Sequence, residues 1–263
     1  MYPVLLDIAG FQVLTSGVMW FFGFCCTALV LLNISLEQNI SFLLLLKMAL
    51  ACLFGGIIGA RLGYINLHWD YFVSHPMDAV KFYEGGMVYY WGLAGGIFTG
   101  LLFWRGKPGW IRICDIMILS LLPAQVMGRI GCYLHGCCFG VSYNNLPYMN
   151  WFMVVFPNEN ILRHPVQLYS GLGLALIFLI LWFVYKRLKT PGIIIISYIY
   201  CYAFFRFFIE FLRADSRGYF LGIFDMSMSQ EIGILTIIVL TFYLAGQLLG
   251  WFPKPKITDL PKS

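Results

Sequence analysis

Three arginines, Arg61, Arg129 and Arg206, stand inside long apolar runs of this chain. A guanidinium in that setting costs roughly 2.5–3.5 kcal/mol to insert into a membrane, so it faces a partner or a cavity rather than hydrocarbon. Snorkelling to the interface accounts for any single one of them. Three together, one with an acid a helical turn away, call for a shared reason. The acid is Glu210, and Tyr202 lies one turn on the other side of Arg206. Tyr202, Arg206 and Glu210 therefore form a polar stripe on a helix otherwise rich in phenylalanine. An internal Arg–Glu pair can be structural glue, but converging guanidinium groups also suit an anionic phosphate head group, gripped by charge-assisted hydrogen bonds.

Arg129 also opens the most unusual segment, Gly128-Arg129-Ile130-Gly131-Cys132-Tyr133-Leu134-His135-Gly136-Cys137-Cys138-Phe139-Gly140. Crossing a bilayer does not require that composition. Gly136 and Gly140, like Glu84-Gly85-Gly86, fall at or beyond helix ends, where glycine permits a positive φ and close backbone approach to a ligand. Gly55, Gly56, Gly59, Gly95, Gly96 and Gly100 have the spacing that lets membrane helices touch. Cys132, His135, Cys137 and Cys138 are four potential metal ligands, but neither their order nor their spacing matches a common zinc pattern. Adjacent cysteines rarely both reach one ion, so no metal is expected. A disulfide in an oxidising compartment and plain packing stay open for these thiols.

The elements that must position these residues follow from composition. With 60% hydrophobic and 11% charged residues, the chain falls well below the charge of a soluble domain, roughly a quarter. Its mean hydropathy of +0.81 makes lipid the solvent. Eight cysteines in 263 residues exclude a disulfide scaffold. The net charge of +5 gives no ground for nucleic-acid binding, because the basic residues are distributed by topology. Met1 to Gly10 contains Asp7 and no basic start, so the first apolar run reads as a span rather than a cleavable signal.

Windows of about 20 apolar residues predict seven helical spans, near 12–33, 42–66, 86–104, 111–131, 168–186, 192–212 and 228–250. With the N-terminus outside, the cytoplasmic side holds Lys47, Arg105, Lys107, Arg112, Lys186, Arg187, Lys189, Lys254, Lys256 and Lys262. The outer side holds only Lys81, Arg163, Arg213 and Arg217, and this asymmetry sets the direction. The expectation is an all-α integral membrane domain over 1–251 with an outer-face segment at 132–167. A Lys/Pro tail, 252–263, is expected to be cytoplasmic and disordered. All three intramembrane arginines then lie in the outer parts of their helices.

At this point the chain resembles the bacterial prolipoprotein diacylglyceryl transferase family, over about Ser16 to Tyr243. The Gly128–Gly140 segment looks like the family signature. Gly59-Ala60-Arg61-Leu62-Gly63-Tyr64, Gly85-Gly86-Met87 with Gly92-Leu93-Ala94-Gly95, and Cys114-Asp115 support it. So do Arg163-His164-Pro165-Val166-Gln167-Leu168-Tyr169, Phe205-Arg206 with Ile209-Glu210-Phe211-Leu212-Arg213, and Met226-Ser227-Met228-Ser229-Gln230.

The resemblance implies transfer of a diacylglyceryl group from phosphatidylglycerol to the lipobox cysteine of a preprolipoprotein signal peptide. The setting is the cytoplasmic (inner) membrane of a bacterium, with the site towards the outer face and no cofactor. It implies Arg129 and Arg206 as phosphate-binding residues, Glu210 as their acidic partner and Tyr202 as a neighbour. Arg61, Tyr64, Gly128, Gly131, Gly136, Gly140 and Gln167 join the binding set. The sequence departs from the family pattern at Ser16, where a tyrosine is usual, at Tyr90 and Trp91, in place of histidine and glycine, and at Cys132 and Cys137, in place of asparagine and an acid. Tyr90 and His164 are then the candidates for moving a proton, although Tyr90 ordinarily titrates near 10 and a histidine before proline is more often structural. Two other readings remain beside the transferase: a paralogue that serves another acceptor, and a lipid or anion transporter. A transporter is expected to show internal repeats, and no convincing repeat is visible between the halves.

Overall fold

The computed structural model describes residues 4–8, 11–81, 85–105, 107–142, 152–156, 161–214 and 226–251. The expectations for Glu84, Arg217 and the 252–263 tail, including Lys254, Lys256 and Lys262, fall outside the described residues, as does part of the 132–167 segment. In chain order the elements are β1 (Val4–Ile8), β2 (Phe11–Leu14), α1 (Thr15–Gln38), α2 (Phe42–Leu67), the short α3 (Trp69–Ser74) and a 3-10 turn (Pro76–Val80). Then come α4 (Tyr89–Trp104), α5 (Trp110–His135), β3 (Val154–Val155), β4 (Leu162–Arg163), α6 (Val166–Arg187), α7 (Ile193–Glu210) and α8 (Met228–Leu248).

Six of these helices, α1, α2, α5, α6, α7 and α8, are long and apolar enough to cross a membrane. The predicted third span is shorter than its apolar run. Gly85 and Gly86 take φ of +85° and +72°, which no helix continues through. α4 therefore starts only at Tyr89, and its 16 residues rise about 24 Å, against about 30 Å of hydrocarbon. The first span also differs. Residues 11–14 leave the predicted helix to pair antiparallel with 4–8, Val4 opposite Leu14 and Ile8 opposite Phe11. A short apolar run does not by itself distinguish a strand from a helix.

The chain divides into two compact units, residues 31–110 in one and the remaining described residues in the other. In the 31–110 unit, α2 and α4 pack backbone to backbone. A Cβ on Gly59 would sit 2.5 Å from the Trp91 carbonyl oxygen and 3.0 Å from Gly95 Cα, and one on Gly55 would overlap Thr99. Small residues at this spacing replace the missing hydrophobic drive with close packing, as membrane helices require.

In the other unit the helix ends are tied by side chains. Asp115, buried on α5, accepts from the backbone N–H of Gly192 at 2.6 Å and of Ile195 at 3.0 Å. It thereby answers donors that the first turn of α7 leaves without intrahelical partners. Ser227 and Gln230 form a capping box at the start of α8. Gln230 Nε2 also donates to the Phe207 carbonyl at 3.2 Å, joining α8 to α7.

Candidate functional site

The signature segment ends α5 in a Schellman turn. Gly136, at φ +82°, donates to the Tyr133 carbonyl at 3.1 Å, and Cys137 N–H donates back to the Cys132 carbonyl at 3.1 Å. That motif brings together the side chains three residues before and two after the helix end, here Cys132 and Cys137. Cys138 then takes φ +60°, unusual without glycine. As a result Sγ of Cys132, Cys137 and Cys138 lie within 4.8 Å of one another. Two left-handed residues, Gly136 and Cys138, curl the chain back onto the helix and so bring the adjacent Cys137 and Cys138 to one place.

Beyond the thiols, the segment threads between two other strands of backbone. Gly140 N–H donates to the His164 carbonyl at 2.8 Å, and Val141 N–H to the Leu212 carbonyl at 3.0 Å. A Cβ on Gly140 would overlap the Leu212 carbonyl and the Val166 side chain. Arg213, buried just past α7, bridges Gly140. Among the signature glycines, Gly131 seats α5 against Met19 and Ser16 of α1, while a Cβ at Gly128 would meet nothing within 4 Å.

Arg129 and Phe205, the residue before Arg206, reach α6 at nearby heights but on different faces. Gly171 faces Arg129, a Cβ there lying 3.6 Å from Arg129 Cβ, and Gly173 lies under the Phe205 ring. Two residues of helix rise separate these contacts, about 3 Å. Arg206 pairs with Glu210 at 2.6 Å and donates to Ser229 Oγ of α8 at 3.3 Å. Phe204, Phe208 and Phe211 on the same helix are 65%, 54% and 60% exposed, while Arg206 and Glu210 are each 8% exposed. The helix is polar inside and aromatic outside. Half-buried Arg129 makes no hydrogen bond or ion pair among the described residues. It acts electrostatically on Cys132 and Cys138, and Arg213 also acts on Cys138. The thiols of Cys132 and Cys137, with Arg213 and Arg129 behind them, hold Cys138 below the usual thiol range. Its neighbours Cys132 and Cys138 push Cys137 the other way.

Arg61, in the other unit, is fully engaged by backbone. It donates to the carbonyls of Asp78 (2.5 Å), Ala79 (3.0 Å), Gly85 (2.7 Å) and Gly86 (3.3 Å). Its guanidinium lies over the rings of Tyr64 and Phe72 at 5.6 and 5.5 Å. A Cβ on Gly86 would sit 2.5 Å from Tyr64 Cε1, so Tyr64 packs the same knot. Lys81 and Tyr71 hold the Asp78 carboxyl below its ordinary range. Tyr90 is 37% exposed at the start of α4, its ring edge-on to Tyr89.

His164 is wholly buried. Its Nδ1 pairs with Tyr169 Oη at 3.2 Å, and its Nε2 has no hydrogen-bond partner among the described residues. Burial lowers its pKa, so the imidazole is neutral at pH 7. Gln167, 1% exposed, donates from Nε2 to the Cys137 carbonyl at 2.5 Å and so pins the thiol turn. Tyr202 stacks on Tyr198 one turn before Arg206. Three residues enter the site that the sequence reading quoted within motifs but gave no role: Ser229, Gln230 and Arg213. The Ser-x-x-Gln capping spacing at 227–230 was the available signal for the first two. For Arg213 the sequence shows only a charge past a helix end, which reads as solvated.

Two kinds of comparison bear on this geometry. A family model described as prolipoprotein diacylglyceryl transferase matches residues 3–245. A phosphatidylglycerol–prolipoprotein diacylglyceryl transferase of Clostridium tetani is 31% identical over 250 residues, 91% of this chain and 95% of that one. A protein of the same name numbered 2, from Clostridium perfringens, is 29% identical, covering 89% and 91%. One from Cupriavidus pinatubonensis is 34% identical over 193 residues, covering 70% and 67%.

Proposed function

The chain belongs to the prolipoprotein diacylglyceryl transferase family, and on that premise we propose that it transfers the diacylglyceryl group of phosphatidylglycerol to the lipobox cysteine thiol of a preprolipoprotein. The observation that carries the site assignment is half-buried Arg129, which makes no hydrogen bond or ion pair among the described residues, in the unit where buried Arg206 is oriented by Glu210 and Ser229. The two guanidinium groups hold the phosphodiester. Glu210 and Ser229 fix the direction of Arg206. The thiol sulfur attacks the glyceryl CH2, a C–S bond forms, and the C–O bond to phosphate breaks. The electron pair leaves on the phosphate oxygen, where the arginines stabilise it. The thiol proton passes to the departing glycerol phosphate, which balances the reaction without a cofactor.

On this reading His164 and Gln167 position the signature turn rather than move the proton, since His164 is wholly buried and bonded to Tyr169. Tyr202 lines the approach to Arg206, and no step of the transfer is assigned to Tyr90. Gly136 and Gly140 shape the turn, Gly131 seats its helix, and Gly128 leaves room beside Arg129. Arg61 and Tyr64 brace the backbone at 78–79 and 85–86. α4 serves as a seventh, shorter span, with the N-terminus outside, in a bacterial cytoplasmic membrane and with the site towards the outer face. The Lys and Arg asymmetry supports that direction.

A second acceptor is favoured by one observation, the thiol cluster beside Arg129. Complementation separates the readings. Expressed in a strain depleted of its own transferase, the chain restores growth and lipoprotein labelling. Failure at full expression and membrane insertion would overturn the lipobox acceptor.

A further inference from the structure

We propose that Cys132, Cys137 and Cys138 form a three-sulfur site for a soft, thiophilic d10 cation of the Zn(II)/Cu(I) class at the C-terminal end of α5. The three Sγ atoms already lie within 4.8 Å of one another. A trigonal tri-thiolate with metal–sulfur bonds near 2.3 Å needs sulfurs about 4 Å apart, so rotamer adjustment suffices to close the site. Thiolate ligands select this class over hard cations such as Mg(II) or Ca(II).

The backbone makes the arrangement specific. The Schellman turn sets Cys137 against Cys132, and Cys138 reaches the same point only through its φ of +60°. Gln167 Nε2 holds the Cys137 carbonyl and so the turn itself, the kind of outer contact that orients metal ligands. His135 is exposed at the helix end and is not among the grouped atoms.

Charge closes the argument. Three thiolates with a divalent ion carry a net −1, and with a monovalent ion −2. Arg129 and Arg213 both act on Cys138 and supply the compensating positive charge. Binding releases the thiol protons to solvent and changes no oxidation state. A disulfide would use only two of the three sulfurs and would need an oxidant. The positions of the three sulfurs carry the site, and it does not depend on the transferase reading.

The test uses the full chain in detergent, reduced and stripped of metal, titrated with Cd(II) and followed by the thiolate-to-cadmium charge-transfer band. One equivalent saturates the band, Zn(II) competes it away, and three of the eight thiols become protected from alkylation. Cys132→Ser and Cys137→Ser each weaken binding by more than about tenfold, while Cys52→Ser and Cys201→Ser leave it unchanged. Alkylation footprints of the unmutated chain in native membranes, with and without Zn(II), give the same readout if a variant fails to fold. Absence of a saturable band, equal binding by Cys132→Ser, or a disulfide among the three cysteines in chain isolated without reductant would overturn the proposal.

Discussion

Arg61 and Arg206 sit in comparable burial, 5% and 8% exposed, each on an apolar helix, yet they are held by different chemistry. Arg61 gives its guanidinium to four backbone carbonyls, two in the 3-10 turn and two just before α4, and lies over two aromatic rings. Charge-assisted hydrogen bonds contribute about 1.5–3 kcal/mol each, enough together to offset the insertion cost. Arg206 has a carboxylate and a hydroxyl, and Arg129 of the same unit makes no ion pair among the described residues. The difference teaches that a buried guanidinium in a membrane helix is not by itself a site. Saturated with carbonyls it is a brace; held by one carboxylate, in a unit where a second guanidinium has no ion pair among the described residues, it is proposed to receive an anion.

The comparison breaks first at Arg129. Arg129→Ala and Arg206→Ala are expected to slow diacylglyceryl transfer by about 100- to 1000-fold, the scale of losing a preorganised charge-stabilising donor. Glu210→Gln, which loosens Arg206 without removing it, is expected to cost about 10- to 100-fold, one charged hydrogen bond. Either rate unchanged in a transfer assay with lipobox peptide would remove the anion role from this region. On the other side, Arg61→Ala is expected to lower stability by about 3 kcal/mol, because buried carbonyls lose their donor. The chain that remains folded should keep its turnover. Thermal unfolding in detergent, read beside the specific rate, checks that split.

The smallest effect comes from His164. Its folded-state pKa lies below the ordinary value near 6.5, so the unfolded chain takes up its proton first. The stability this contributes is complete above about pH 6.5 and is lost as the pH falls below it. His164→Asn is expected to flatten the melting temperature between pH 8 and 5. A transfer rate that followed the histidine's titration instead would make it a proton carrier and redraw the site.

Much of this was legible in the residues. The polar stripe on α7, the glycine contacts of α2 with α4 and six long apolar helices follow from periodicity and composition. The Schellman turn was not read, because the predicted span stops at 131 whereas α5 runs on to His135 and closes on Gly136. Other features depended on tertiary contacts that no spacing encodes. Arg61 is told apart from Arg206 by the carbonyls of Asp78, Ala79, Gly85 and Gly86, and Arg213 is buried where its backbone bridges Gly140. Asp115 finds its partners 77 and 80 residues away. The start of α4 was misplaced because apolar Met87 and Val88 look helical, while the glycines before them forbid it.

The most direct measurement compares initial transfer rates, from phosphatidylglycerol to a lipobox peptide, for Arg129→Ala and Arg61→Ala at matched folded fractions. The account predicts a loss of about 100-fold or more for Arg129→Ala and a near-normal rate for Arg61→Ala. Full activity in Arg129→Ala, or equal inactivity in Arg61→Ala while it remains folded, would contradict it.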